Sequence, residues 1–283
     1  MSRIVLGLLR ASHPEPAVAV STVAGLLAWG VGHDLATAVA VVATVAASQL
    51  ATGWSNDYLD AVRDRAVGRA DKPVATGGLS RRTVGVAALV AVVATPAAAL
   101  ATNPAAAACA TLGLISALLY NWPLKSTAVS VLPYAVSFGA LPAFVVLALP
   151  GAPAPPLWLL GAAALLGAGA HFANVLPDLA DDARTGVRGL PHRLGGEGSR
   201  IGATALLLAA TVTLVAGPPG PPSWTGLAAV GAAAVVPLLA WRASRPRIRA
   251  GGVRPARPVA VFRGVMTVAL IDVVLLVGSG HVV

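Results

Sequence analysis

The sequence predicts an all-helical protein that crosses a membrane nine times, as one domain over residues 1–283. Three observations lead there. The chain is 57% hydrophobic and only 11% charged, against roughly 25% charged residues in a soluble domain. So little polar surface cannot coat a globule in water, and lipid must be the solvent. Nine stretches come near the ~20 residues that cross a bilayer. The connections between them alternate between near-neutral and strongly basic.

In order, the chain opens with Met1 to Pro16. This is not a signal peptide, because its apolar stretch, Ile4 to Leu9, is short and is followed by Arg10, His13 and Glu15. It reads as an amphipathic helix over residues 1–15 lying on the membrane. The spans follow at about 16–33, 35–57, 83–102, 104–122, 127–149, 156–178, 200–217, 222–242 and 259–278. They are rich in Ala, Val, Leu and Gly, and small residues permit close helix contact in lipid. Pro96, Pro133, Pro142 and Pro237 predict kinks. The one cysteine, Cys109, excludes an internal disulfide and a cysteine-based metal cluster.

All 20 Lys and Arg fall in the N-terminal segment or in and just past the second, fourth, sixth and eighth loops. Short-loop positive charge sets orientation, so the N-terminus is expected in the cytoplasm and the C-terminus outside, in a multi-pass protein of the cytoplasmic membrane. The net charge of +9 would suit nucleic acid. Nucleic-acid binding needs no such segregation, so that partner is excluded and the bilayer takes its place.

Two acidic groups stand out. From Leu35 to Asn56 there is no charge, and then Asp57, Asp60 and Asp64 follow. That spacing stacks three carboxylates on one helical face. Such carboxylates repel each other unless a cation sits among them; the alternative for this stretch alone is a solvated helix end. The sixth span ends in His171, Asn174, Asp178 and Asp182, which are expected to share one helical face. Both groups are expected at cytoplasmic helix ends, where two facing clusters would bridge Mg²⁺, an ion that takes carboxylates plus phosphate oxygens and water. The ligand implied is a diphosphate, whose charge also explains the basic residues nearby.

Asn56-Asp57-x-x-Asp60-x-x-x-Asp64, followed by Lys72-Pro73-Val74-Ala75-Thr76-Gly77-Gly78-Leu79-Ser80, resembles the first signature of the UbiA superfamily of intramembrane prenyltransferases. Asp178-x-x-x-Asp182, then Gly186-Val187-Arg188-Gly189-Leu190-Pro191-His192-Arg193-Leu194-Gly195, resembles the second. Tyr120-Asn121-Trp122-Pro123-Leu124-Lys125 is similar to the family's Tyr…Leu-Lys segment after the fourth helix. The resemblance covers about residues 15–280 and implies nine helices around a central cavity, with catalytic loops near 58–82 and 179–199. It implies two Mg²⁺ held by Asp57, Asp60 and Asp64 on one side and by Asp178 and Asp182 on the other. Asn56 and Asn174 complete the shell; Arg63, Lys72, Tyr120, Lys125 and Arg188 hold the diphosphate of an isoprenyl donor. The reaction implied is transfer of the isoprenyl group to an aromatic or quinone-type acceptor, with diphosphate released and the allylic cation sheltered from water. Lys72-Pro73 stands where the family often has Arg-Pro, and Val175 and Pro177 replace an acidic residue and an arginine found in some members.

Two other functions use the same sequence differently. A terpene cyclase of the same superfamily would ionise the donor with no acceptor. A transporter would place its acidic residues at mid-membrane on broken helices, whereas these cluster at one face. Several residues carry plainer readings. His171 is expected to line a polar cavity, and Asp181 to be solvated, being off the Asp178–Asp182 line. Asp272, inside the last span, is expected to have a structural partner, since charge there is costly. Trp54 and Trp122 suit an interfacial belt, the arginines from Arg242 to Arg257 suit an anionic-lipid contact, and Gly77-Gly78 suits a turn.

Overall fold

The structure is a computed structural model that describes residues 3–244, 247–249, 252–254 and 259–278. Among these, eleven α-helices carry the fold, and the only strands are a three-residue antiparallel pair, Arg247–Arg249 with Gly252–Arg254. The chain divides into two compact units, one of residues 1–125 and 140–156, the other of 126–139 and 157–282.

The first unit contains α1 (Arg3–Ala11), α2 (Pro14–Gly30), α3 (Leu35–Ala66), α4 (Arg81–Ala99), α5 (Pro104–Asn121) and the second half of α6 (Val131–Leu147). Local chemistry sets the ends. Asp34, Ser80 and Asn103 precede α3, α4 and α5, and each side chain accepts from the backbone N–H three residues on. Such caps satisfy N–H groups that the helix leaves open. Pro104 occupies the first turn of α5, where a missing N–H costs nothing. Buried threonines such as Thr44 and Thr95 return their hydroxyls to the carbonyl four residues back, so these hydroxyls are not left unbonded in an apolar layer. Small cores form where helices meet: Ala51, Ala91 and Leu114 in one, and Ala11, Ala61, Val74, Leu79 and Val84 in another. Leu89, Val90 and Val93 on α4 and Leu112 and Ile115 on α5 are exposed, which suits lipid and not water.

The second unit contains the first half of α6, then α7 (Leu157–Val175), α8 (Leu179–Arg184), α9 (Leu190–Ala216), α10 (Trp224–Ser244) and α11 (Val259–Gly278). Its core joins Phe172, Ala173 and Leu176 to Ala203, Leu207, Ala233 and Val268. Glycine sets how closely α7 packs: a Cβ on Gly167 would lie 2.5 Å from Phe138 Cβ and 2.6 Å from the Tyr134 carbonyl. Buried Asp272 on α11 meets the Thr211 hydroxyl of α9 at 2.6 Å, a structural partner of the kind the sequence suggests.

Among the described residues, five helices, α3, α4, α5, α7 and α9, are long and apolar enough to cross a membrane. The sequence expects nine crossings. α2 and α6 each run for 17 residues, about 25 Å at 1.5 Å per residue, and α2 gives way to a turn with Gly32 at φ 82°. Three other boundaries differ from expectation. α3 does not stop near residue 57 but runs on to Ala66, so residues 58–66 are helix and not loop. The expected loop at 179–199 contains α8 and the start of α9. α7 ends at Val175, two residues before Pro177, which cannot donate to a helical carbonyl and disfavours helix at Leu176. Of the arginines from Arg242 to Arg257, Arg245 and Arg257 lie outside the described residues, as does the C-terminus beyond Gly278.

Candidate active site

Because α3 is unbroken, the i, i+3, i+7 spacing puts Asp57, Asp60 and Asp64 on one face, and all three are buried, at 1%, 6% and 5% exposed. Carboxylates buried this deeply need partners, and cationic side chains supply them to Asp57 and Asp60. After Val67 and Gly68, with Gly68 at φ 71°, the chain turns back over α3. Leu79 N–H donates to the Pro73 carbonyl, and Val74 and Leu79 pack on Ala61 and Leu8. The turn delivers Lys72 to α3, where its ammonium lies 2.5 Å from Asp57 Oδ1 and 2.7 Å from His13 Nε2. Asp57 Oδ2 is buried and has no hydrogen-bond partner.

Asp60 is surrounded more fully. Arg63 donates to its Oδ2 at 2.7 Å, Asn56 donates to the same oxygen at 3.0 Å, and Lys125 pairs with Oδ1. Lys125 arrives on the short 3₁₀ turn Leu124–Ser126, after Trp122 and Pro123 end α5. Asn121, which the sequence reading passed over, ties that end of α5 down by donating to the Thr52 carbonyl and Ser55 Oγ of α3, both at 2.8 Å. Tyr120, one residue earlier, is half-buried. Asn56 links the two carboxylates, since its amide nitrogen serves Asp60 and its oxygen lies 3.4 Å from Lys72 Nζ. Outside the membrane-spanning part, Arg69 grips Asp71 through two 2.8 Å bonds and holds its carboxyl down to about 2. Trp54 donates its indole N–H to the Leu8 carbonyl at 2.9 Å, a packing role beyond that of a belt residue.

In the second unit the break at Pro177 separates residues expected in line. Asn174 stays on α7, exposed, with its amide 3.1 Å from the Tyr134 hydroxyl. Asp178 opens α8, half-buried, and the Asp182 N–H donates to the Asp178 carbonyl at 2.8 Å. Asp178 and Asp182 thus share one helical turn, while His171 and Asn174 belong to a different helix. His171 is buried within 3.0 Å of Ser130 Oγ, its ring 4.9 Å from that of Tyr134. Ser130 also accepts from Leu190 N–H at 2.9 Å, which ties down the start of α9. Asp182 Oδ2 lies 3.1 Å from Nε2 of His192. Asp181 pairs with Arg184. Arg188 is exposed.

His13, His192 and Ser130 escaped the sequence reading. His192 stands inside a motif quoted above, but nothing in its spacing links it to Asp182. His13 lies 44 residues from Asp57, and only folding brings them together.

Among the described residues no three His, Cys, Asp or Glu side chains are grouped tightly enough to hold a metal ion unaided. The donors nevertheless fit Mg²⁺, which needs only one or two carboxylates when phosphate and water complete its octahedron, and the unpartnered Asp57 Oδ2 is a donor of that kind. A cavity of about 740 Å³ in the first unit is lined by Asp34, Thr37 and Asn103. It lies at the other end of α3 from Asp57, about 30 Å along the helix at 1.5 Å per residue, and plays no part in this site.

A model of the UbiA prenyltransferase family matches residues 17–263. A digeranylgeranylglyceryl phosphate synthase of Methanopyrus kandleri is 32% identical over 232 residues, covering 78% of this chain and 82% of the relative. Among solved structures, a UbiA homolog from Archaeoglobus fulgidus bound to GPP and Mg²⁺ has a TM-score of 0.69 at 16% identity, over 96% of this chain and 99% of that one. The apo structure of a UbiA homolog from Aeropyrum pernix K1 has a TM-score of 0.68 at 20% identity, over 99% and 98%. At these identities the structural likeness speaks for the fold.

Proposed function

The chain belongs to the UbiA prenyltransferase family of membrane enzymes, and from that premise we propose that it transfers an isoprenyl group from an isoprenyl diphosphate in a Mg²⁺-dependent reaction. One observation carries the proposal for this chain: three buried carboxylates on α3 with Lys72, Arg63 and Lys125 brought onto them, and one carboxylate oxygen left without a partner. The Archaeoglobus fulgidus homolog with GPP and Mg²⁺ supports the same ligand class.

Asp57, Asp60 and Asp64 of the first motif, and Asp178 and Asp182 of the second, are proposed to hold Mg²⁺ for the diphosphate. When bound, Mg²⁺ supplies Lewis-acid stabilisation of the charge that grows on the leaving group. Lys125 and Arg63, which meet Asp60 in the structure, are proposed to add positive charge for the diphosphate, the Lys as a compact ammonium and the Arg as a planar fork. Tyr120, Asn56, Asn174 and Arg188 are proposed to complete the contacts with diphosphate. The C1–O bond of the donor breaks with its electron pair passing to diphosphate. The acceptor attacks C1 and gives its proton to solvent. No covalent enzyme intermediate is required.

The sequence suggests an aromatic or quinone-type acceptor. The 32%-identical relative favours a second reading, because it is named for a digeranylgeranylglyceryl phosphate product. In that case the acceptor is the hydroxyl of a prenylated glyceryl phosphate. The test is a set of membranes expressing the protein, incubated with labelled C10 to C20 isoprenyl diphosphates and either acceptor class, followed by analysis of the lipid extract. Labelled product with one class only decides the acceptor. Diphosphate release with neither, accompanied by a cyclic hydrocarbon, would replace transfer by cyclisation.

A further inference from the structure

We propose that His13 is a positioning residue for the site: by accepting from Lys72 it fixes the Asp57 carboxylate so that Oδ2 faces the metal. This rests on the reading of Asp57 as a Mg²⁺ ligand given above. A lysine ammonium has three N–H donors and no acceptor. Around Lys72 Nζ stand three acceptors: Asp57 Oδ1 at 2.5 Å, His13 Nε2 at 2.7 Å and Asn56 Oδ1 at 3.4 Å. The lysine is buried to 9% side-chain exposure, and its partner carboxylate to 0%. With all three directions taken, the ammonium cannot swing to Asp57 Oδ2. His13 Nε2 itself lies 3.1 Å from Asp57 Oδ1, and the one Lys72 ammonium donates to both atoms. The other oxygen, Oδ2, is buried and bare. A bare carboxylate oxygen inside a protein is costly unless a cation meets it, and outer partners that orient a ligating carboxylate are a general feature of metal sites.

The chain goes to some length to keep His13 there. Its backbone is left-handed, at φ 52° and ψ 66°, a conformation that is strained for a non-glycine residue. Such strain persists only where the surroundings over-determine it, and three features do so. Gly53 on α3 lets Ser12 approach so closely that a Cβ would lie 2.8 Å from the Ser12 carbonyl oxygen. Trp54 bonds the Leu8 carbonyl, and Ala11 is fully buried. Pro14 starts α2 directly after His13. Gly53 and Asp57 are one helical turn apart, so the close approach at the first places His13 at the second.

The experiment compares wild type, His13→Asn, His13→Gln and Asp57→Ala, each purified as the full chain in detergent. Mn²⁺ binding is followed by electron paramagnetic resonance, beside donor kinetics and thermal unfolding. Asn tolerates the left-handed backbone but is too short to reach Lys72, whereas Gln places an acceptor near the position of Nε2. His13→Asn should weaken Mn²⁺ binding about 10-fold, the scale of an outer-partner loss, and raise KM for the donor, with the unfolding temperature unchanged. His13→Gln should recover most of both. Wild-type Mn²⁺ binding in a folded His13→Asn would overturn the proposal, as would His13→Gln behaving no better than His13→Asn. If instead Asp57→Ala binds Mn²⁺ like wild type, the Mg²⁺-ligand reading of Asp57 itself fails, and the His13 role with it.

Discussion

Lys125 and Arg63 approach the two oxygens of Asp60 separately, one to Oδ1 and the other to Oδ2. Removing the lysine leaves a carboxylate buried to 6% exposure with only Arg63 and Asn56. Lys125→Ala should therefore lower kcat/KM for the donor by more than about 10²-fold, the scale of losing one preorganised electrostatic stabiliser. Lys125→Arg should restore it only in part, since a guanidinium is larger and planar. Steady-state turnover at saturating Mg²⁺ checks both, and wild-type kinetics in Lys125→Ala would reduce the residue to an orientation signal. The same logic separates the acidic residues of the second motif. Asp182 meets His192, whereas Asp181 is engaged with Arg184, whose side chain is 68% exposed. Surface pairs of that kind contribute little, about 0–1 kcal/mol. Asp178→Ala or Asp182→Ala should abolish turnover, and Asp181→Ala should leave it within a few-fold. Equal losses at 178 and 181 would show that the wrong carboxylates are assigned.

Among the elements, α3 and α7 depend on glycine in different ways from their neighbours. Gly167 of α7 has Phe138 and the Tyr134 carbonyl where a methyl would go, at 2.5 and 2.6 Å, while Gly161, six residues earlier on the same helix, has nothing within 4 Å. Overpacking costs about 1–3 kcal/mol, and replacing a helical glycine by alanine at an open position gains up to ~1 kcal/mol. Gly167→Ala should lower the unfolding temperature and Gly161→Ala should hold or raise it, measured by thermal unfolding in detergent. If both variants behave alike, the close packing of α6 on α7 is not what glycine serves. Pro177 matters for a different reason. It ends α7 and lets Asp178 begin a separate turn. Pro177→Ala permits the helix to continue, which would rotate Asp178 away from its present place. Turnover should fall although the helix content by circular dichroism does not. Unchanged turnover would mean that Leu176 and the residues after it break the helix without proline.

At the scale of the whole molecule, charge segregation implies one orientation. With every Lys and Arg assigned to a single side, Ser223 is expected outside the cell and Lys125 in the cytoplasm. In a Cys109→Ala background, a cysteine at 223 should react with an impermeant thiol reagent in intact cells, and a cysteine at 125 only after the membrane is broken. The reverse pattern would invert the topology, and the acidic helix end at Asp57 would then face outward. The exposed apolar faces of α4 and α5 belong to the same picture, since their solvent is lipid whichever way the chain is threaded.

Periodicity and composition alone determined that this protein is helical and lipid-embedded, because an 11% charged chain has no other stable solvent. They also placed Asp57, Asp60 and Asp64 on one face, because α3 runs through them without a break and helical spacing is a local property. Local spacing misleads where a local breaker intervenes: it puts His171 and Asn174 in line with Asp178, but Pro177 lies between them and ends α7. The extension of α3 to Ala66 was likewise missed, because the helix outlasts its apolar stretch. What only the tertiary structure decided are the partners of the carboxylates. Lys72 returns to Asp57 because a fourteen-residue connection, residues 67–80, folds back on Val74 and Leu79, and His13 joins them because Gly53 leaves room for the backbone before α2. Those are contacts between residues far apart in sequence, set by packing, and no pattern along the chain encodes which side chain a buried oxygen will meet.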